Sequence, residues 1–104
     1  MRVVNVHGMA PNTPGIVYCG RACGGWPTSP LANPYVLERE SDRNKVLSQY
    51  RQWLAEQIAD GNAEVMVALD DLYDGSVLGC WCSPKPCHCD TIVEFSTLLR
   101  EGML

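Results

Sequence analysis

Apolar residues at Val46, Leu47, Tyr50, Trp53, Leu54 and Ile58 recur every three to four positions, the period of one helical face. This is the clearest helix in the chain. Ser41 or Asp42 can cap its start, and Gly61 stands where a left-handed residue closes a helix. Ahead of it, Arg2 to His7 reads as a strand, because Val3, Val4 and Val6 are β-branched and Gly8 stops the run. Ile16-Val17-Tyr18-Cys19 reads as a second strand after the Pro11-to-Gly15 turn. From Ala22 to Pro34 the glycines and prolines predict a long loop, a kind that is usually functional or disordered. Glu64 to Leu69 is a short apolar run that periodicity leaves open between strand and helical turn. Val77 to Cys82 is a strand leaving the Asp74-Gly75 turn, with Trp81 facing the core opposite Cys80 and Cys82. A final helix runs from about Cys87 to Arg100, with Ile92, Phe95, Leu98 and Leu99 on its buried side. This order predicts a small three-layer α/β sandwich with a mainly parallel sheet, one domain over residues 1–104.

Composition sharpens the functional range. The chain is 46% hydrophobic and 19% charged, an ordinary globular balance. Its net charge is −4 and its eight basic residues are scattered, which argues against a nucleic-acid partner. No apolar run approaches the length of a membrane span, and Met1-Arg2-Val3-Val4 leads into a strand rather than a signal peptide. A cytoplasmic location is the expectation. In a reducing compartment the six cysteines read as free thiols or metal ligands rather than as a disulfide framework.

Four of those cysteines fall in the window Cys80-Trp81-Cys82-Ser83-Pro84-Lys85-Pro86-Cys87-His88-Cys89-Asp90. Cys80 and Cys82 project from one face of a strand, and after a turn Cys87 and His88 arrive at a helix start. Free N–H groups and the helix dipole at such a start hold anions and lower the pKa of a thiol. The sequence supports two functional readings. In one, Cys80, Cys82 and Cys87, with His88 or Cys89, bind zinc or an iron–sulfur cluster, although the spacing departs from the usual two or more residues between paired cysteines. In the other, Cys82 or Cys87 is a reactive thiol in a ligand pocket, with His88 as acid–base partner and Asp90 fixing the imidazole or capping the helix. The bland alternative is that these are packed thiols.

A second group supports a pocket. Gly20 and Arg21 follow a strand, so Arg21 belongs at the carboxyl edge of the sheet, where it can grip a phosphate or carboxylate. Asn33 precedes Pro34, is held out of helical geometry and can offer its amide to a ligand.

The segments Val17-Tyr18-Cys19-Gly20-Arg21, Ser29-Pro30-Leu31-Ala32-Asn33-Pro34, Tyr50-Arg51-Gln52-Trp53-Leu54 and Leu78 to Asp90, in this order, resemble a bacterial and phage family catalogued as domain of unknown function 4326. The resemblance implies a compact α/β domain whose shared polar residues match Arg21, Asn33, Cys82, Cys87, His88 and Asp90, and it implies a phage origin. It implies no activity. The enlarged loop carrying Cys23 and Trp26, and Cys89 in place of a small residue, depart from the family pattern.

The expected function is therefore a site for a nucleotide-like or phosphorylated small molecule. Arg21, Gly20, Asn33 and the helix start would bind it, and Cys82, Cys87, His88 and Asp90 would supply any chemistry. The rival is a zinc-stabilised module that binds a host protein.

Overall fold

The computed structural model describes residues 1–104. Strand β1 covers Arg2–Asn5 and β2 covers Ile16–Tyr18. A single 3-10 turn at Glu40–Asp42 runs into helix α1, Arg43–Ala59, followed by α2, Ala63–Asp70. Strand β3 is Val77–Cys80 and helix α3 is His88–Arg100. The protein is thus mixed α/β, as the order of its sequence patterns predicts. No helix is long and apolar enough to cross a membrane.

The three strands are all parallel, in the order β1-β3-β2. β3 is central, and its run of buried residues at Leu78, Gly79 and Cys80 reflects that place. The register sets Val3 and Val17 beside Leu78, and Val4 and Tyr18 beside Gly79. Gly79 is required by close approach: a Cβ there would lie 2.6 Å from Val6 Cγ1 and 2.7 Å from Ile16 Cγ2.

Leu78 and Cys80 point into the main core, together with Tyr50, Leu54, Val65, Leu69, Ile92 and Phe95 from the helices. α3 lies directly on β1 and β3, and α1 and α2 pack against α3 and each other. The helices therefore cover one face of the sheet. The layer on the other face is coil rather than helix: Trp26 stacks on Tyr18, with ring centroids 5.0 Å apart.

Several sequence expectations are resolved by end effects. The ambiguous run after Gly61 is helix α2, because the Asn62 side chain accepts from Val65 N and caps it. Asp42 occupies the cap position of α1 without a side-chain bond, because the 3-10 turn already leads the chain in. Gly61, at φ +68°, takes the left-handed conformation expected of it. Trp81 is not a core residue. β3 ends at Cys80, so Trp81 has left the sheet; it is 38% exposed and donates Nε1–H to Tyr18 Oη at 2.8 Å.

Candidate functional site

The carboxyl ends of β2 and β3, the start of α3 and the 20–37 loop converge on one cleft of about 360 Å³. Gly20, Arg21, Asn33, Cys82, Cys87 and His88 all line it, so six of the seven sequence-derived pocket residues share one cavity. Tyr18, Cys23, Tyr35, Val36, Leu47 and Arg43 complete much of the wall, which is mainly apolar.

Asp90 is the seventh, and it is part of the scaffold. Its carboxylate accepts from Cys87 N at 3.1 Å, while Cys87 Sγ accepts from Cys89 N at 3.3 Å. These reciprocal bonds form a capping box with a thiol in the place usually held by a hydroxyl. The arrangement fixes the α3 start, and it uses donors that the sequence reading assigned to a bound anion. His88 N is the free amide left in that first turn.

His88 is buried under the cleft. Its Nε2 lies 2.6 Å from the Cys19 carbonyl, and its ring meets Tyr50 edge-on at 5.0 Å. Burial holds the imidazole pKa below its usual value. In the neutral ring Nε2–H donates to that carbonyl, which leaves Nδ1 as the ring's acceptor.

Arg21 acts on the loop itself. Nε donates to Asn33 O at 2.9 Å and Nη2 to Tyr35 O at 2.8 Å, while Nη1 makes no bond within the chain. Asn33 Oδ1 accepts from Tyr35 N at 2.9 Å, which leaves the side-chain nitrogen free. The guanidinium therefore shapes the cavity wall and keeps one nitrogen unpaired.

Arg43 is a cleft residue that sequence reasoning missed. It looked like one of the scattered basic residues, yet the start of α1 aims it at the cleft, with its side chain only 14% exposed. Nη1 donates to Pro86 O at 2.7 Å, and Nε and Nη2 grip both oxygens of Glu40. The Glu40 carboxylate raises the Arg43 pKa further, with a smaller contribution from the neighbouring Cys82.

The thiols divide into two populations. Cys82 is half-buried on the cleft and Cys23 is exposed at its rim. Cys80, Cys87 and Cys89 are buried, with Sγ atoms within 4.8 Å of one another, and these three could hold a metal ion. Neither Cys82 nor His88, both in the ligand set suggested by residue type and count, belongs to that group. Cys82 has moved round the turn after β3, and the imidazole is bonded to the Cys19 carbonyl.

Cys87 also reverses the expected pKa shift. Cys80 and Cys87 lie 3.4 Å apart, Sγ to Sγ. Hydrogen bonds from Cys87 and then Cys89 favour the Cys80 thiolate and push its pKa down. That same bond to Cys80 pushes the Cys87 thiol up to about 12. The helix dipole that was expected to lower it is outweighed by a sulfur in contact. Cys89 is also raised, chiefly by the neighbouring Cys19 thiol.

The family model for a domain of unknown function (DUF4326) matches residues 4–97, which contain the cleft and the thiol cluster. Neither the curated proteins nor the solved structures contain a match.

Proposed function

This chain belongs to the DUF4326 family, and because that membership carries no activity with it, we propose from the cleft itself that the protein binds a nucleotide-like or phosphorylated small molecule. The observation that carries the reading is the convergence of Arg21, Asn33, Arg43, Cys82 and His88 on one mainly apolar cavity of about 360 Å³. Such a cavity is within the size range of small-molecule sites, which pair apolar walls with a few placed polar groups. A heterocyclic ring would lie against Tyr35, Val36 and Leu47, and its anionic end would meet Arg21 Nη1 and the edge of Arg43. The Asn33 amide and His88 Nδ1 supply a donor and an acceptor for the ring's edge. Cys82 is the thiol open to that ligand, so we assign it the nucleophile's place, with His88 as the imidazole on the same wall.

Titration with nucleoside monophosphates, followed by amide NMR, tests this. Shifts should centre on Gly20 to Tyr35 and Cys82 to His88, and inorganic phosphate alone should bind more weakly. If no monophosphate at millimolar concentration moves these amides, the reading is wrong.

A second reading, a zinc-stabilised module that binds a host protein, is supported by the close trio Cys80, Cys87 and Cys89. A metal bound there would lock the end of the sheet to α3.

A further inference from the structure

We propose that Cys19, Cys80, Cys87 and Cys89 are the four ligands of one divalent metal ion of the zinc class, buried between the sheet edge and the start of α3. The inference deepens the metal half of the second reading. It moves the site off Cys82 and His88, and it does not need the cleft to be occupied.

The spacing of the sulfurs comes first. Cys80 and Cys87 Sγ are 3.4 Å apart, and Cys89 Sγ is within 4.8 Å of both. Zinc–sulfur bonds of about 2.3 Å place tetrahedral thiolates about 3.8 Å apart, so this trio approximates one triangular face of the tetrahedron. Thiols buried merely as apolar groups have no reason to gather sulfur against sulfur.

Strand register supplies the fourth ligand. Tyr18 pairs with Gly79 in the parallel ladder, and Cys19 N then donates to Gly79 O at 3.0 Å. One residue further on, Cys19 lies beside Cys80 on the helix-facing side. Both are buried in the same core cluster. Cys19 Sγ stands outside the close trio and bonds weakly to Val17 O at 3.4 Å, so the proposed site requires its side chain to rotate towards Cys89.

The outer shell is already in place. Ser83 N donates to Cys80 Sγ at 3.4 Å and Cys89 N to Cys87 Sγ at 3.3 Å. Backbone N–H groups aimed at sulfur stabilise thiolates and orient metal ligands. His88 ties the Cys19 carbonyl to α3 through Nε2, which fixes the backbone of the fourth ligand. Binding balances as one divalent ion taken up and every proton still held by the four sulfurs released to solvent, with no change of oxidation state.

The test uses the full chain, purified anaerobically under reducing conditions. Elemental analysis and native mass spectrometry should give about one zinc per chain after zinc reconstitution. Cobalt(II) should give the intense visible bands of a tetrahedral site and a thiolate charge-transfer band. Cys19→Ser should weaken cobalt binding by more than about tenfold, the scale of even an outer-shell change. Cys82→Ser and Cys23→Ser should leave the tetrahedral spectrum intact. Wild-type protein gives an independent readout should the serine variant fail to fold. Zinc should raise the melting temperature of the wild type, and chelator should reverse that rise. Overturning results are no metal bound by the wild type, unchanged cobalt affinity in Cys19→Ser, loss of the site in Cys82→Ser, or a melting temperature that neither zinc nor chelator changes. Absence of metal beside monophosphate binding at the cleft would remove this site and leave the cleft reading standing.

Discussion

Cys80 Sγ and Cys87 Sγ lie 3.4 Å apart, one at the last residue of the central strand and the other capping the next helix. The contact divides the cysteines by chemistry. In metal-free protein, iodoacetamide at neutral pH should modify Cys23 and Cys82 well before Cys87, whose thiol is raised to about 12 and buried. Timed labelling with peptide mapping checks this. A Cys87 that labels as fast as Cys23 would contradict the arrangement.

Tyr50 is fully buried, and its hydroxyl donates to Leu31 O at 2.7 Å, tying α1 to the loop that walls the cleft. Tyr50→Phe removes the donor and leaves a buried carbonyl unpaired, at a cost of about 1–3 kcal/mol. Chemical denaturation should show that loss, and the Gly20 to Tyr35 amides should shift. A loss below about 0.5 kcal/mol, the size of an ordinary surface change, would contradict it.

Leu54 is fully buried, whereas Trp53 is only partly covered at the core's margin. Leu54→Ala should destabilise by about 2–5 kcal/mol through lost burial and the cavity left behind. Trp53→Ala should cost less than Leu54→Ala despite the larger side chain. The reverse order in urea melts would place Trp53 deeper than its exposure indicates.

Gly79 has no room for a Cβ between Val6 and Ile16. Gly79→Ala should cost about 1–3 kcal/mol by overpacking. An alanine variant as stable as the wild type would mean that the edge strands separate freely.

Glu40 supplies the pH prediction. Its hydrogen bonds to Arg43, helped by Lys85, hold its carboxyl at about 2, below the ordinary 4.5. A folded value below the unfolded one favours the folded state fully above pH 4.5, and that contribution is lost as pH falls through about 2. Carboxyl NMR should find the Glu40 midpoint near 2, moving up towards 4.5 in Arg43→Gln. An ordinary midpoint in the wild type would show that Arg43 is free of Glu40.

Much of the fold was legible because it rests on local signals. The α1 periodicity, the β-branched run at Val3 to Val6, and Gly61 after the helix each act within a few residues. The cleft was legible in part because residues after parallel strands share one sheet edge, which brings Arg21 and His88 together. Strand order was not legible. Without it nothing in the chain says that Cys19 lies beside Cys80, or that the Arg43 side chain reaches Pro86. The pKa of Cys87 was misjudged for the same reason: the local helix start was visible, and the sulfur from β3 was not.

The order β1-β3-β2 also bears on how the chain acquires its shape as it is made. β1 and β2 touch β3 and not each other, so Arg2 first finds a ladder partner in Val77 and Ile16 finds the same residue. A ribosome-bound chain lacking residues 77–80 has no sheet to form, although α1 and α2 are already complete. Sheet assembly must then close two long loops around one late strand, a non-local step that slows folding. Two nascent strands wait with unpaired edges until the segment ending in Cys80 threads between them.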